Sequence, residues 1–186
     1  MIIRHLILLA LLLTGALLPE SATAGGSFSG KVVGISDGDT IKVGKGMFGE
    51  QVELANLNDI TLQGSKSLID GEGVRATVTA TNCQRLTISG FHIRNSTGAG
   101  IRILDCDTVT VTKCLLEDNW AEGINADHTD NVSILKNTVR FSDGHGIAVR
   151  RGMSDASADC RIIGNTVVES GGSGIAASGA DHRIEK

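Results

Sequence analysis

Leu86-Thr-Ile-Ser-Gly-Phe-His-Ile93 opens a stretch in which one pattern of apolar residues occurs four times. The later copies are Val109-Thr-Val-Thr-Lys-Cys-Leu-Leu116, Val132-Ser-Ile-Leu-Lys-Asn-Thr-Val139 and Cys160-Arg-Ile-Ile-Gly-Asn-Thr-Val167. Seven residues after each copy come a glycine and then an isoleucine, and these isoleucines are Ile101, Ile124, Ile147 and Ile175. Their spacings are 23, 23 and 28 residues. A repeat of this length predicts a solenoid, in which each copy stacks on its neighbours.

The repeat predicts coils of about 22–28 residues, each with three short strands separated by bends. Alternate residues of a strand point to opposite faces, so Leu86 and Ile88 are expected in the core and Thr87 outside. Successive coils begin at Ile60, Leu86, Val109, Val132, Cys160 and His182. The predicted fold is therefore all-β, a single parallel β-helix.

Two features are expected at the bends. The glycine before each Gly-Ile strand, such as Gly123, is expected to supply a backbone conformation with positive φ. Asn137 and Asn165 share one bend position and are expected to stack as an asparagine ladder whose amides satisfy backbone groups. Phe91 and Cys114 occupy that position in the two preceding copies, so the ladder is expected to be partial.

Residues 1–24 predict a signal peptide. Arg4 and His5 precede an apolar run over 6–18, and Ala22-Thr23-Ala24 fits a cleavage site for small residues. The run is shorter than a typical membrane span. The mature chain is expected to begin near Gly25 and to be exported to the periplasm or the cell exterior, without a membrane contact after cleavage.

Composition narrows the function classes. The 186 residues include 17 basic and 21 acidic side chains, which give a formal net charge of −4. Because nucleic-acid binding proteins usually carry a basic surface, no nucleic-acid partner is expected. The 24 glycines, the absence of tyrosine and a single proline within the leader suit short stacked strands rather than a helical enzyme.

Export makes disulfides possible. Cys83 and Cys106 occupy equivalent positions in adjacent coils, and stacked strands lie about 4.8 Å apart, within the reach of a disulfide. Two small side chains in a ladder are the alternative, and the sequence leaves both open. Cys160 takes the inward place of Val132 and is expected in the core. No cysteine spacing matches a zinc site.

The segment from Gly30 to Val43 contains two alternating strands around an Asp-Gly turn. It resembles the opening of staphylococcal-nuclease-like domains, whose Asp-Gly-Asp-Thr element helps to hold calcium. Glu53 stands where that family has an arginine, and no Pro-Glu follows, so the catalytic parts of a nuclease are missing.

The same segment resembles the entry coil of pectin-lyase-like proteins, which are right-handed parallel β-helices. The matching residues are Gly38-Asp39-Thr40-Ile41-Lys42-Val43, a glycine-rich turn over 44–49 and Ile60-Thr61-Leu62-Gln63-Gly64. Because the repeats follow at once, we favour this interpretation. It implies N-terminal strands and an entry coil over 25–57 and right-handed β-helix coils over 58–186.

The end of the chain copies the start of another coil, His182-Arg-Ile-Glu-Lys186. A coil that stops within a strand leaves an unpaired edge and no cap. The sequence therefore predicts a longer protein with further β-helix coils downstream. The loop over 151–159 lengthens the fourth interval, and insertions into a solenoid gather on the binding face.

The outward positions of the Gly-Ile strands collect charge in the second and third copies. Stacking is expected to align Arg102 with Asn125 and Asp127 with Arg150. The predicted catalytic residues are His145, Arg150 and Asp127, and the predicted substrate-binding residues are Arg102, Trp120, Glu122, Asn125, His128 and Arg151.

These side chains match what proton abstraction beside a sugar carboxylate requires. A base removes the proton from the carbon next to the carboxylate, and a cation neutralises the carboxylate as an enolate-like intermediate forms. His145 or Asp127 could be the base, and Arg102 or Arg150 could hold the carboxylate. Trp120 could stack on a pyranose ring, or it could cover apolar surface beneath a loop.

The same stretch resembles the periplasmic alginate C5-epimerases. They carry an Asp-Pro-His motif after a Gly-Ile strand, and a His-Gly-Ile strand that ends near an arginine one coil later. The matching stretches are Gly123-Ile-Asn-Ala-Asp-His128 and His145-Gly-Ile-Ala-Val-Arg150, with Ala126 in place of the proline. The resemblance implies an acidic, uronic-acid polysaccharide as partner and β-elimination or C5 epimerisation as the reaction.

Two alternatives stay open. Outward charges also serve solubility, and Asp127 and Arg150 would then form an ordinary surface ion pair in a non-catalytic binding or scaffold protein of the periplasm or cell surface. Asp105, Asp107 and Asp130 could hold calcium at stacked bends, or they could form a solvated acidic bend. No other cofactor is expected.

Overall fold

A computed structural model describes residues 27–29, 34–36, 40–150, 160–179 and 182–186. The predicted leader at 1–24, the Asp-Gly turn and the loop over 151–159, which includes Arg151, lie outside the described residues. All regular structure in the described part is β-strand, and it contains no helix that is long and apolar enough to cross a membrane.

The described residues form 19 strands. They are β1 Ser27–Ser29, β2 Gly34–Ser36, β3 Thr40–Val43, β4 Gly46–Phe48, β5 Val52–Ala55, β6 Asn58–Asp70, β7 Val78–Thr81, β8 Gln84–Arg94, β9 Ile101–Leu104, β10 Asp107–Thr112, β11 Leu115–Glu117, β12 Ile124–Asp127, β13 Asp130–Leu135, β14 Thr138–Arg140, β15 Ile147–Val149, β16 Arg161–Ile163, β17 Thr166–Val168, β18 Ile175–Ala177 and β19 Arg183–Glu185.

The strands form two sheets. Sheet A has seven strands in the order β1-β5-β7-β9-β12-β15-β18, and sheet B has twelve. Apart from two antiparallel pairs at the start, β1 with β5 and β2 with β3, the pairings are parallel. The repeated isoleucines stand side by side, Ile101 beside Ile124, Ile124 beside Ile147, and Ile147 beside Ile175. Equivalent residues of successive copies therefore stack, which confirms the predicted parallel β-helix.

Sheet B contains two of the three strands predicted for each coil. In the coil after the entry coil the two strands are continuous as β6, and in the following coil they are continuous as β8. The register between β6 and β8 shifts between Gln63 and Ser67. The entry coil consists of β3, β4 and β5, and Thr40 of β3 lies beside Thr61 of β6 in a parallel pairing. Strand β3 therefore stacks in parallel on the next coil, and the bounds of the entry coil stay a prediction.

The core consists of the inward residues of all coils. Leu86 and Ile88 are buried and Thr87 is half-buried, as the alternation predicted. Cys160 is also in the core, and all four cysteines are buried. Buried aliphatic side chains thus line the whole interior, and burial of apolar surface is the main stabilising contribution.

Cys83 and Cys106 form the side-chain ladder that the sequence left open as one alternative. The Cys106 sulfur accepts a hydrogen bond of 3.2 Å from the Cys83 backbone N–H. A hydrogen bond between the two thiols lowers the pKa of Cys83 to about 7 and raises the pKa of Cys106.

The predicted asparagine ladder is present. Asn165 Oδ1 accepts a hydrogen bond of 2.9 Å from the Asn137 N–H, and Asn137 Oδ1 accepts one of 2.9 Å from the Cys114 N–H. Asn137 Nδ2 donates to the Val111 carbonyl at 3.0 Å. Each amide therefore satisfies bend backbone groups that lie within the stack.

The expectation of positive φ at the glycines before the Gly-Ile strands is wrong. Gly123 and Gly146 are not among the glycines with positive φ. The lack of space for a side chain explains these glycines instead. A Cβ on Gly123 would overlap the Val139 side chain and lie 2.7 Å from the Gly146 carbonyl oxygen. These glycines let the bends of adjacent coils approach within one strand spacing.

We expect Gly123→Ala to lower the free energy of unfolding by about 1–3 kcal/mol, because the added methyl group overpacks the bend. Urea denaturation followed by circular dichroism measures the change. Gly98→Ala is the matched control, since a Cβ there meets no atom within 4 Å. Equal midpoints for the two variants would contradict this explanation.

Asp70 joins two neighbouring coils. Its carboxylate accepts hydrogen bonds from the Glu72 N–H at 2.9 Å, Asn95 Nδ2 at 3.0 Å and Arg94 Nε at 2.8 Å. Burial raises the pKa of Asp70, but these three hydrogen bonds and the charge of Arg94 outweigh burial and hold the pKa below 3.8. The ionised form of Asp70 therefore stabilises the folded state.

The stability from Asp70 should be fully present above the unfolded pKa of 3.8 and lost as the pH falls through the lower folded pKa. Asp70→Asn should cost about 1–3 kcal/mol at pH 7, and this difference from the parent protein should shrink in acid. Denaturant midpoints measured between about pH 5 and pH 1 provide the test. Asp59→Asn, at an exposed ion pair with Arg85, is the control and should change little. A difference that stays constant with pH would rule out the carboxylate as its source.

Candidate functional site

The predicted site lies on the outer face of sheet A. Arg102 lies in β9, Asn125 and Asp127 lie in β12, and Arg150 directly follows β15. Asn125 stands beside Arg102, and Asp127 beside Leu104. Stacking of the coils thus brings the predicted residues of successive copies onto one surface, as the sequence indicated.

Arg150 organises the centre of this surface. Its Nη1 donates to Asn125 Oδ1 at 3.0 Å, and its Nη2 donates to Glu122 Oε1 at 2.6 Å. The Glu122 side chain is 13% exposed and that of Arg150 is 44% exposed. Arg150 therefore pairs with Glu122 rather than with Asp127, the partner that the surface-pair alternative assumed.

Asp127 and His128 form a second, looser pair. His128 Nδ1 lies 3.5 Å from Asp127 Oδ1, which is longer than a strong hydrogen bond. The side chains are 59% and 27% exposed for His128 and Asp127 respectively. An accessible carboxylate thus lies next to an accessible imidazole at the end of β12.

His145 contacts the following coil. Its Nδ1 accepts a hydrogen bond of 2.9 Å from the Ser173 backbone N–H. In the neutral ring, the proton is then on Nε2. The Nδ1 lone pair that a general base would use therefore already accepts the hydrogen bond from Ser173. The role of His145 as a base stays a prediction.

Arg102 is the available cation of the surface. Its side chain is exposed, and within the described residues it forms no ion pair or side-chain hydrogen bond. It stands beside Asn125, which Arg150 contacts from the other side. We call Arg102, Glu122, Asn125, Asp127, His128 and Arg150 the arginine patch.

Trp120 is apart from the arginine patch, on the bend that leads into β12. It is 59% exposed, and an open groove of about 390 Å³ has Trp120 and Phe141 among its lining residues. Phe141 was not among the residues that the sequence predicted for a site. The available signal was its place directly after β14, where the neighbouring copies carry Asp118 and Glu169 rather than an apolar residue.

The acidic bends do not bring together a set of side-chain metal ligands in the described part of the chain. There, no three side chains of the metal-ligating types come together in a way that could hold an ion. Asp107 instead accepts a hydrogen bond of 2.8 Å from Asn131 Nδ2 in the next coil.

Comparisons with known proteins agree with this architecture. The model of the family described as "Right handed beta helix region" matches residues 51–185. The solved structure of ORF18 of Geobacillus virus E2 is similar, with a TM-score of 0.54 and 9% identity over 76% of this chain. This chain spans 37% of the length of that viral chain. At this identity the likeness shows the fold alone.

A crystal structure of a Parabacteroides merdae protein proposed to be a glycosyl hydrolase also matches. Its TM-score is 0.37 and its identity 14%, over 74% of this chain and 69% of that one. No curated protein sequence matches this chain.

Proposed function

The chain belongs to the right-handed beta helix family, and we propose that it binds an acidic, uronic-acid polysaccharide on the outer face of sheet A. The observation that carries the proposal is Arg102, an exposed guanidinium that no described side chain neutralises. A planar guanidinium binds a carboxylate through two parallel hydrogen bonds. Arg102 can therefore hold one uronate of such a polymer.

Arg150 supplies a second anchor. A guanidinium has five N–H donors, and hydrogen bonds to Asn125 and Glu122 use two of those of Arg150. These bonds hold the side chain in place, which lowers the entropic cost of binding. Arg102 and Arg150 lie two strand spacings apart, about 10 Å along the helix axis. A polymer that lies along this axis can reach both.

The predicted leader over 1–24 supports the proposal, because it directs the chain to the periplasm or the cell exterior, where such polysaccharides occur. The net charge of −4 makes a general attraction to polyanions weak. Binding must therefore come from the local arginines rather than from the charge of the whole protein.

Arg102→Gln should weaken binding to polygalacturonate or alginate by about 10-fold to 100-fold, the loss expected for a charge-assisted hydrogen bond. Isothermal titration calorimetry at low salt measures it, and added salt should weaken the parent protein's binding. Arg161→Gln is the matched control, since Arg161 is exposed on sheet B. Equal affinities of the two variants would contradict the proposed site.

A second candidate function is polysaccharide lyase or C5-epimerase activity at the same surface, favoured by the Asp127–His128 pair. Asp127 would take the C5 proton while Arg102 and Arg150 neutralise the substrate carboxylate. In β-elimination, the electron pair forms the C4–C5 double bond, the bond from C4 to the glycosidic oxygen breaks, and that oxygen takes a proton. In epimerisation, a proton returns to C5 from the opposite face.

The catalytic candidate predicts two signals with alginate and pectate. Unsaturated ends should raise near-ultraviolet absorbance, or protons at C5 should exchange with deuterium oxide. Asp127→Asn should abolish the signal and leave binding within about threefold of the parent, because surface substitutions change free energies by less than about 0.5 kcal/mol. If the parent protein binds the polymer but gives no signal in either assay, the result would favour the non-catalytic binding or scaffold function.

A further inference from the structure

Three consecutive bend positions recur in each coil, and in the coil of Trp120 they are Asp118, Asn119 and Trp120. Side chains at these positions line the groove that contains Trp120. The middle position points into the bend and forms the floor, with Asn119 and Ser142. The position before it and the position after it form the two walls. The wall residues are Asn95, Asp118, Phe141 and Glu169 on one side and Trp120, Asp143 and Gly171 on the other.

Two aromatic residues from adjacent coils, Trp120 and Phe141, line this groove. Trp120 is 59% exposed and Phe141 is 45% exposed, so neither gains the burial that usually stabilises an aromatic residue. Phe141 also has a φ of 51°, which is unfavourable for a bulky side chain. Contact with a ligand would explain an aromatic side chain where neither burial nor backbone conformation favours one.

Two polar groups are buried beneath the floor of the groove. Asn119 Nδ2 and Ser142 Oγ have no hydrogen-bond partner within the described residues, and both residues are 1% exposed. A buried polar group without a partner costs about 1–3 kcal/mol. Both atoms are enclosed and lie next to the glycines that precede the Gly-Ile strands, Gly100 and Gly123, so they belong to the interior of the bend rather than to the surface of the groove.

The walls are negatively charged. Asp118, Asp143 and Glu169 form no ion pair within the described residues. The nearby Arg94 and Arg140 are directed to other carboxylates, to Asp70 at 2.8 Å and to Glu117 at 3.4 Å. The groove therefore combines two aromatic faces with three free carboxylates, and it repels anions.

We propose that this groove binds a hexosamine ring that carries a free ammonium group. The aromatic faces pack against the apolar face of the ring and attract the cation, and the carboxylates pair with the ammonium group. The volume of about 390 Å³ lies within the range of small-molecule sites. A uronate would be repelled, so this site is distinct from the arginine patch and goes beyond the proposed function.

The chain contains its own reporter for this test. Trp120 is the single tryptophan and tyrosine is absent, so intrinsic fluorescence comes from the groove. We would titrate the full chain with chitosan oligosaccharides and with chitin oligosaccharides, which have the same ring but an N-acetyl group in place of the amine. The free-amine oligomers should change the emission saturably, protect Trp120 from acrylamide, and bind at least about 10-fold more tightly than the acetylated ones.

Variants separate the contributions. Phe141→Ala keeps the reporter and should weaken binding of the free-amine oligomer about 10-fold, the loss expected for a cation–π contact and the packing that goes with it. Asp143→Asn should reduce the ratio between the affinity for the free-amine oligomer and the affinity for the acetylated one. Met47→Ala is the matched control, since Met47 is an exposed apolar residue on β4, and it should bind as the parent does. Denaturation midpoints confirm that each variant is folded.

Three results would overturn the proposal. They are equal affinity for the two oligomers, an unchanged Trp120 signal in the folded parent protein, and equal binding by Phe141→Ala and Met47→Ala. Arg102→Gln should leave this titration unchanged, whereas it weakens polyuronate binding. A failure of the groove proposal is therefore distinguishable from a failure of the proposed function.

Discussion

The backbone hydrogen bonds between stacked bends are the constraint on which this structure depends. The ladder continues from the strands into the bends, where the Gly123 N–H donates to His145 O at 3.1 Å and the Ile124 N–H donates to Gly146 O at 3.0 Å. Adjacent coils must therefore stay one strand spacing apart at the corner, where a side chain has least room. At one bend position glycine leaves room for the adjacent coil. At other bend positions asparagine, serine, cysteine and threonine are small enough to fit between the coils.

The same constraint creates the two surfaces on which the proposed binding depends. Because every coil repeats the same bends, residues at one position form a row across the stack, and a few substitutions along a row produce a local chemistry. Arg102 and Asn125 share a row on sheet A, where the arginine patch forms. Asp118 and Phe141 share a row at the bend, where the groove forms. A regular scaffold thus carries two irregular sites.

The two surfaces are close along the chain but differ in charge, because the arginine patch contains two guanidinium groups and two carboxylates whereas the groove contains three carboxylates. Trp120 in the groove is two residues from Glu122 in the arginine patch, and Asp143 in the groove is two residues from His145. In the two proposals, the guanidinium groups of the arginine patch bind carboxylates, whereas the carboxylates and aromatic side chains of the groove bind a cation.

The sequence by itself determined the coil period, the inward residues, the asparagine ladder and the surface that carries Arg102 and Asn125. These follow from repeat length and from alternation, which are local properties that stacking preserves. Only the tertiary structure decided that Arg150 pairs with Glu122, that His145 contacts Ser173, that Gly123 is required by space, and that Phe141 lines a groove with Trp120. A long side chain can reach several partners, and free space depends on residues 16 to 28 positions away, so neither can be read from a local pattern.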